Sequence, residues 1–345
     1  MRKRIGFLSF GHWGRAIGSQ TPTARDALWQ TIELAEAAEE IGIDGAYVRV
    51  HHFARQLASP FPLLAAIGAR TRRIEIGTAV IDMRYENPLY MAEDAAAADL
   101  IAGGRLQLGI SRGSPEPALR GSESFGYVPR EGQTDADMAR EHARVFRHAI
   151  NGAGVARSDP GMTGSSAALH IEPQSPGLSD RIWWGAGTRQ TARWVAEQGM
   201  NLQSSTLLTE DTGVPFGELQ AEQIEMFRRA WADAGHRREP RISVSRSVIP
   251  ITTDEDRMYF GARADSQDQL GYLEGVVARF GRSYNGEPDV IAQELAQDPA
   301  VQAADTLLLT VPNQLGVEYN ARLLQTIAEH VAPAIGWEPA GTVSS

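Results

Sequence analysis

Residues 109–113, GISRG, place a serine beside an arginine in a pattern that allows two kinds of chemistry. G-x-S-x-G is the pattern of a hydrolase nucleophile elbow, in which Ser111 would be the nucleophile. An elbow also needs a helix that begins directly after the serine, but Pro115 and Pro117 leave room for at most one helical turn. No downstream Asp and His stand out as triad partners. We therefore expect Ser111 to be a small residue at a strand end.

Arg112 offers the other chemistry, which is anion binding. An arginine at the end of an inner strand would cost several kcal/mol unless an anion or another acceptor pairs with it. The planar fork of the guanidinium group suits a phosphate. The alternative is an ion pair with a neighbouring carboxylate such as Glu116. Sequence alone leaves both interpretations open.

A second pattern of anion binding lies at residues 183–199, WWGAGTRQTARWVAEQG. Two glycines let the backbone turn closely, Thr188 can cap the following helix, and the Thr191 hydroxyl lies on the same side. A strand, a turn of small residues and a helix N-terminus form a cradle for phosphate. A third glycine at the spacing of the dinucleotide fingerprint is missing. Together with Arg112, the pattern predicts a site for one phosphate.

Two adjacent histidines, His51 and His52, follow an apolar run. Adjacent residues on a strand face opposite sides, so we expect only one of them to face a site and the other to be structural. Metal binding by the pair is disfavoured, because opposed side chains cannot share an ion and no third ligand is spaced nearby. Arg49 and Arg246 also lie on predicted strands, where each can bind an acidic substrate or pair with a carboxylate. We favour pairing for both.

The elements that must position these residues alternate between strand and helix. Helix signals include a Thr23–Asp26 capping box and an Asn87 cap followed by Pro88. Eight apolar, β-rich runs are the predicted strands: 4–10, 45–53, 74–83, 105–111, 181–187, 200–206, 241–251 and 306–312. Trp183 and Trp184 should face opposite sides of the fifth.

Eight such units favour parallel pairing and a closed barrel over an open sheet. We predict an α/β fold with a single (β/α)8 TIM barrel, a barrel domain at 1–338 and a tail at 339–345. Two longer insertions, about 113–180 and 252–300, follow strands four and seven. Both should lie on the catalytic face, at the carboxyl ends of the strands.

Composition excludes several classes of partner. The 33 basic and 43 acidic side chains give a formal net charge of −10, which disfavours nucleic acid and anionic membranes. The chain has no cysteine, so disulfides and thiolate chemistry are excluded. The first apolar run is too short for a signal sequence, and none is long enough to span a bilayer. We expect a cytoplasmic protein.

Four segments, in order, resemble the bacterial luciferase-like flavin-dependent monooxygenases. Residues 74–113 carry the N-P, A-E-D, D-x-x-x-G-G-R-L and R-G features of that family in one ungapped block. AYVRVHHF (46–53) resembles its histidine motif, and residues 183–199 resemble its phosphate-binding strand and helix. Residues 304–336 resemble its last strand and helix. The resemblance covers nearly the whole chain and implies a (β/α)8 barrel.

Site residues also follow from this resemblance. It implies that Arg112, Thr188 and Thr191 hold the phosphate of FMN and that Gly187 allows close backbone approach. It places Ser111 beside the flavin ring and gives His51 the inward, catalytic position, exchanging a proton near neutral pH. The remaining two cofactor-binding positions, where members often have a non-prolyl cis peptide against the ring, are Ala79 and Val80.

The function implied by the resemblance is an FMN-dependent oxidoreductase, with reduced flavin and O2 oxygenating a small organic substrate. Reducing equivalents would come from a partner flavin reductase or from NAD(P)H, and the protein would be a homodimer or other oligomer without a metal. One alternative is a deazaflavin-dependent hydride-transfer enzyme of the same fold. Another is a non-catalytic flavin-binding or accessory subunit. Val50 replaces the acidic residue that precedes the histidines in luciferases, so light emission is not implied.

Overall fold

The protein folds around a closed barrel of eight parallel strands, which confirms the predicted (β/α)8 fold. The structure is a computed structural model that describes residues 2–113, 117–210, 213–261, 266–273 and 276–339. Numbered in chain order, the barrel strands are β1 (Arg4–Ser9), β2 (Gly45–Val48), β3 (Glu75–Asp82), β4 (Leu106–Ser111), β5 (Ile182–Ala186), β6 (Asn201–Ser204), β7 (Ile242–Arg246) and β8 (Thr306–Val311). The ring closes where β1 pairs with β8, from Arg4 opposite Thr306 to Ser9 opposite Val311.

Helices follow most strands and cover the outside of the barrel. Their bounds are α1 (Ala24–Ile41), α2 (Pro60–Arg70), α3 (Pro88–Ile101), α4 (Gly121–Ser124), α5 (Asp135–Ile150), α6 (Pro160–Thr163), α7 (Arg189–Glu197), α8 (Phe216–Asp233), α9 (Asp254–Phe260), α10 (Pro288–Gln297), α11 (Pro299–Ala303) and α12 (Gly316–Thr326). Short 3-10 segments lie at Leu178–Arg181, Asn313–Leu315 and Ala332–Ile335, and a π-helical turn at Ile327–Val331. None of the helices in the described ranges is long and apolar enough to cross a membrane.

Local sequence signals set the helix starts, as predicted. The Thr23 side chain accepts a hydrogen bond from the Asp26 amide, and the Asp26 carboxylate accepts one from the Thr23 amide, which completes the capping box of α1. The Asn87 side chain accepts from two amides in the first turn of α3. Pro88 begins that turn and has no backbone N–H that would need an acceptor. These caps fix where the chain leaves each loop and turns back along the barrel.

Apolar side chains form two layers because successive strand residues point to opposite faces. Phe7 points outward and belongs to the large core between barrel and helices, which also contains Leu34 of α1. Leu8 points inward and packs with Tyr47 and Leu308 inside the barrel. The tryptophans of β5 alternate in the same way: Trp183 donates to Gln107 at 2.9 Å, and Trp184 packs against Trp194 of α7.

A polar network fills the barrel at the amino ends of its strands. Glu75 accepts two hydrogen bonds from Arg241, at 2.8 and 3.0 Å, and one from Arg4 at 2.5 Å. Tyr47 and Gln107 also donate to this carboxylate, both at 3.3 Å. The network closes that end of the barrel, so a ligand can enter only from the carboxyl ends.

Two long connections rise above the carboxyl ends, as predicted. The connection from β4 to β5 carries α4, α5 and α6, and the one from β7 to β8 carries α9, α10 and α11. Short strands outside the barrel form an antiparallel sheet (Gln269–Leu273, Val276–Phe280, Leu207–Leu208) and a parallel pair (Val248–Pro250, Tyr284–Gly286). The β4–β5 connection supplies Arg140 to the cavity described next, whereas no described residue of the β7–β8 connection lines it.

Candidate active site

A cavity of about 230 Å³ opens at the carboxyl ends of the barrel strands, where active sites of this fold lie. It brings together every residue that the sequence proposed for the site: His51, Ala79, Val80, Ser111, Arg112, Gly187, Thr188 and Thr191. The peptide bond between Ala79 and Val80 is cis. The pairing of β3 with β4 shifts register across these two residues. The positions of the residues are thus established, and their roles remain predictions.

The N-terminus of α7 forms one end of the cavity. Thr188 is the N-cap: its hydroxyl oxygen accepts from the Thr191 amide at 3.1 Å, and its hydroxyl donates to the Thr191 oxygen at 2.9 Å. The Thr191 hydroxyl hydrogen therefore remains available for another acceptor. A Cβ at Gly187 would lie 3.6 Å from the nearest atom outside its chain neighbours, the Leu207 carbonyl oxygen, so packing does not require a glycine here. Thr188 and Thr191 can together serve as an anion cradle.

Arg112 lies on the rim of the same cavity, one residue beyond β4, and it is exposed. The expected cost of burying a charge at the end of an inner strand therefore does not apply, because the strand ends before the arginine. Within the described ranges, no hydrogen-bond or ion-pair partner of Arg112 is found. The alternative partner Glu116 lies outside the described residues. Arg112 follows β4 and the N-terminus of α7 follows the neighbouring strand β5, so the position of Arg112 favours anion binding.

Arg140 is a cavity residue that the sequence reasoning missed. It lies on α5, lines the cavity, and places its guanidinium 4.7 Å from the ring centroid of Trp194 on α7. Its sequence context is the polar face of an amphipathic helix, which carries no local signal of ligand binding. Arg140 adds a second guanidinium to the end of the cavity that holds Arg112 and Thr188.

Ser111 does not have the surroundings of a nucleophile. It is buried at the end of β4, and its hydroxyl oxygen accepts from the Gly113 amide at 2.9 Å. The next helix in the described part of the chain begins only at Gly121 and has four residues. An elbow requires a helix that begins at the serine, so the hydrolase alternative has no structural basis.

A serine-directed phosphonate is expected to leave Ser111 unlabelled, and the protein is expected to lack esterase turnover. The reason is that, among the described residues, no helix begins behind the buried hydroxyl to stabilise an oxyanion. Intact-mass spectrometry after incubation measures labelling, with a known serine hydrolase treated in parallel. A stoichiometric adduct that disappears in Ser111→Ala would restore the hydrolase reading.

The histidine pair differs from the prediction in one respect. Strand β2 ends at Val48, not at residue 53, and the His51 amide donates outside the sheet, to the Leu57 carbonyl at 2.8 Å. The alternation of strand side chains therefore does not apply to these residues. Both His51 and His52 line the cavity. The expectation that only one of the two faces the site was wrong.

Electrostatics distinguish His51 from an ordinary histidine. Burial, followed by the nearby charge of Arg49, lowers the pKa of His51 to about 4, and His52 and His12 contribute in the same direction. The imidazole is therefore neutral at pH 7 in the ligand-free protein. The expected exchange of a proton near neutral pH thus needs a bound group that raises this pKa.

His52 is held by aromatic rings. It stacks on Tyr85 with the ring centroids 4.3 Å apart, and the edge contact with Phe125 has a centroid distance of 5.1 Å. Its Nε2 atom is buried without a hydrogen-bond partner among the described residues, and burial lowers its pKa. The packing restrains the ring, which agrees with the structural role expected for His52 even though the ring also lines the cavity.

The two strand arginines differ from each other. Arg246 pairs with Asp298 at 2.8 Å, with both side chains buried, which confirms the favoured pairing. Arg49 lines the cavity, with its guanidinium 4.8 Å from the ring centroid of Phe10. Burial lowers the pKa of Arg49 to about 10, so it is charged at pH 7. No group of three or more His, Asp or Glu side chains that could hold a metal ion is found in the described ranges.

A closed (β/α)8 barrel with an anion cradle and histidines at the carboxyl ends of its strands has the architecture of a barrel enzyme. Residues 4–293 match the family described as luciferase-like monooxygenase. The chain belongs to this family, which confirms the resemblance of its four sequence segments.

Curated relatives include monooxygenases and another kind of oxidoreductase. The oxygenase component of flavin-dependent trigonelline monooxygenase from Acinetobacter baylyi is 26% identical over 294 residues, 79% of this chain and 75% of that protein. F420-dependent glucose-6-phosphate dehydrogenase from Kribbella flavida is 28% identical over 176 residues, 49% of this chain and 50% of that protein. An uncharacterised protein of Sinorhizobium fredii, y4wF, is 28% identical over 174 residues. That match covers 50% of this chain and 48% of y4wF, so the chain spans about half the length of the last two relatives.

Solved structures share the fold. Monooxygenase RslO1 from Streptomyces bottropensis superposes with a TM-score of 0.71 at 20% identity, covering 96% of this chain and 99% of that one. The oxygenating constituent of 3,6-diketocamphane monooxygenase from Pseudomonas putida, in complex with FMN, has a TM-score of 0.68 at 17% identity and the same coverage. At these identities the likeness establishes the barrel fold alone.

Proposed function

We propose that this protein is an FMN-dependent monooxygenase that uses reduced flavin and O2 to oxygenate a small organic substrate. The observation that carries the proposal is that one cavity is lined by two arginines, two threonine hydroxyls at the N-terminus of α7, and His51, which follows β2, three strands around the barrel from β5. Membership of the luciferase-like monooxygenase family and the flavin-dependent relative from Acinetobacter support it.

The donors at the N-terminus of α7 fit a terminal phosphate. A phosphate monoester carries up to two negative charges, which Arg112 and Arg140 can balance while the Thr188 and Thr191 hydroxyls and the helix dipole add weaker attraction. Gly187 leaves room for close approach because no protein atom needs the space of its missing side chain. Two cations and two hydroxyls form a compact set that suits one phosphate, and FMN has one.

The middle of the cavity fits a flat, largely apolar ring. Val80 and Leu207 line it. A Cβ at Gly185 would lie 3.2 Å from the nearest methyl of Val80 and 3.4 Å from Cβ of Ser111. Glycine at this position therefore leaves the space beside Val80 and Ser111 open. Ala79, Val80 and Ser111 would thus contact the ring, as the family resemblance implies. The chemistry that FMN supplies when bound and reduced is the activation of O2.

The protein's own contribution is to hold the substrate, exclude water and move a proton. The apolar lining displaces water from the reacting groups, which protects a reactive flavin from wasteful oxidation. His51 is neutral in the free protein, so one ring nitrogen accepts a hydrogen bond and the other donates one. A negative charge that develops beside His51 would raise its pKa and let it take up a proton.

Reducing equivalents, in this proposal, come from a separate flavin reductase or from NAD(P)H. The Acinetobacter relative is named an oxygenase component, which supports a reductase partner. The small-molecule substrate enters from the carboxyl ends of the strands, and the protein works as a homodimer or other oligomer. The relative named as F420-dependent keeps a deazaflavin enzyme as the competing proposal.

Replacing Arg112 with alanine is expected to weaken FMN binding by about 1.5–3 kcal/mol, roughly 10- to 150-fold, because a charge-assisted hydrogen bond is lost. Arg140→Ala should weaken it to a similar degree. Quenching of FMN fluorescence on titration with protein measures both. The matched control is Arg193→Ala on α7, whose guanidinium pairs with Glu197 at 3.0 Å and which does not line the cavity. Unchanged FMN affinity in both Arg112→Ala and Arg140→Ala would contradict the phosphate assignment.

Reconstitution distinguishes the proposal from its alternatives. The purified protein is mixed with FMN or with the deazaflavin coenzyme, and the absorption spectrum of the protein fraction shows which one is retained. Oxygen consumption is then followed after reduction. Retention of the deazaflavin alone would favour the hydride-transfer enzyme. FMN binding without turnover across a broad substrate panel would favour the accessory subunit.

A further inference from the structure

The charges on the cavity wall exceed what one phosphate needs. Arg49, Arg112 and Arg140 line the cavity, while Asp82 is the sole carboxylate residue among the described lining residues. Asp82 is itself neutralised by Arg84, which reaches both carboxylate oxygens with bonds of 2.6–3.0 Å. The wall therefore carries a positive charge beyond the pair assigned to the cofactor phosphate.

Arg49 lies far around the barrel from the phosphate cradle. It follows β2, whereas Thr188 follows β5, and the ring order places β3 and β4 between those two strands. Three strand-to-strand steps of about 4.8 Å separate the two positions by roughly 14 Å along the sheet. Arg49 therefore enters the cavity from a different side than the cradle, next to Phe10.

The surroundings of Arg49 combine apolar surface with a concentrated positive charge. Its guanidinium lies 4.8 Å from the ring centroid of Phe10, and Phe10 stacks on His12 with the centroids 5.7 Å apart. Leu8 and Leu308 line the cavity nearby, from the strands on either side of the barrel closure. Arg49 also lowers the pKa of both His12 and His51, which shows that its charge is felt at the histidine beside the reacting groups.

We propose that Arg49 binds the carboxylate of the substrate, so that the enzyme acts on organic acids with an apolar body. This inference rests on the proposed function, because it takes the other two arginines as holding the cofactor phosphate. The planar guanidinium matches a carboxylate with two parallel hydrogen bonds. The apolar part of the acid would lie on Phe10, Leu8 and Leu308. The bound carboxylate would also offset the charge of Arg49, which after burial is the second cause of the lowered pKa of His51.

Matched acids and amides test this proposal. Benzoate and benzamide, phenylacetate and phenylacetamide, and octanoate and octanamide are titrated by calorimetry into the FMN-loaded protein. At least one acid is expected to bind about tenfold more tightly than its amide, because only the acid pairs with Arg49. In Arg49→Met the ratio should fall to about one while FMN affinity stays within about twofold. Arg49→Lys keeps the charge without the fork and should retain part of the preference.

The control variant is Arg55→Met. Arg55 lies on the same loop, stacks over Trp13 at 5.5 Å and does not line the cavity, so the acid preference should survive its removal. The absence of any acid preference, its persistence in Arg49→Met, or its equal loss in Arg55→Met would overturn the proposal. If Arg49→Met does not fold, a reduced preference in a folded Arg49→Lys supports the proposal and an unchanged preference contradicts it. Failure of FMN to bind would instead contradict the proposed function, and the same titrations in FMN-free protein would still decide the acid site.

Discussion

Replacing His51 with asparagine is expected to lower flavin-linked turnover by about 10²-fold or more, while FMN still binds. Asparagine has a similar reach and can hydrogen-bond, but it cannot take up or release a proton in this pH range. His51 follows β2 and the phosphate cradle follows β5, three strands around the barrel, so the loss of His51 should not affect cofactor affinity. Product formation and oxidation of reduced flavin measure turnover, and fluorescence titration measures FMN binding.

His52→Asn is the matched control for this prediction. Its ring is restrained by Tyr85 and Phe125, so the expected effect is a loss of about 1 kcal/mol in the free energy of unfolding, with turnover largely retained. Both histidines line the cavity, so a difference between the two variants cannot be explained by one of them lying outside it. Loss of turnover in a folded, FMN-loaded His52→Asn variant, with His51→Asn active, would assign the chemistry to the other histidine.

The pH dependence gives a second check on His51. Burial and Arg49 lower its pKa to about 4, so the folded protein resists protonation that the unfolded chain accepts near pH 6.5. In the free enzyme, kcat/KM is therefore expected to show no His51-dependent inflection between about pH 6 and 8 and to fall only as pH approaches 4. An inflection near pH 6.5 that disappears in His51→Asn would contradict a neutral His51.

The sequence predicted those parts of the fold and site that depend on local patterns. Apolar runs and caps identified all eight barrel strands, and six of them agree with the structure within two residues at each end, while the second and seventh end five residues earlier than predicted. The signal around Thr188 was also local, because the N-cap Thr188 and its hydrogen-bond partner Thr191 are three residues apart at the start of α7. Such features depend on neighbours in the chain, which a single sequence displays directly.

Features that depend on contacts between distant segments were missed. Arg140 reaches the cavity from α5 because α5 packs beside α7, and no spacing in the sequence indicates that contact. The segment around His51 reads as a continuous strand, yet its amide bonds to Leu57 and the strand ends three residues earlier. The neutral state of His51 was also missed, because it depends on burial and on Arg49.

Replacing Asp298 with alanine is expected to lower the free energy of unfolding by about 3–5 kcal/mol, the largest stability effect of any change considered. The Asp298 carboxylate accepts from Arg246 at 2.8 and 3.1 Å and from Tyr284 at 2.6 Å. It also caps α11 by accepting from the amides of Ala300 and Val301. Removing it leaves a guanidinium with a side chain 3% exposed and no carboxylate, which is far more costly than losing the cap alone.

Urea unfolding of the FMN-free protein measures this loss. Asp298→Asn can keep the capping oxygen, but it places an amide NH2 where the second oxygen accepted from Arg246 and Tyr284, and it removes the charge. Its free energy of unfolding should therefore lie between wild type and Asp298→Ala. Glu197→Ala is the surface control: it breaks an ion pair with Arg193 whose side chains are 67% and 46% exposed, and it should change stability by less than about 1 kcal/mol. An effect of Asp298→Ala as small as that of Glu197→Ala would contradict the prediction.

The double variant Arg246→Met/Asp298→Ala separates the cost of an unpaired charge from the value of the pair. If the main cost is the buried guanidinium, removing it as well should recover about 1–3 kcal/mol of the loss. The pH dependence has a defined sign: burial alone would raise the pKa of Asp298, but Arg246 and Tyr284 outweigh it and hold that pKa below its usual range. The contribution of Asp298 is therefore present above about pH 4 and lost as the pH falls further. Because the pair joins the end of β7 to the N-cap of α11, its loss removes a buried contact between the barrel and the β7–β8 connection.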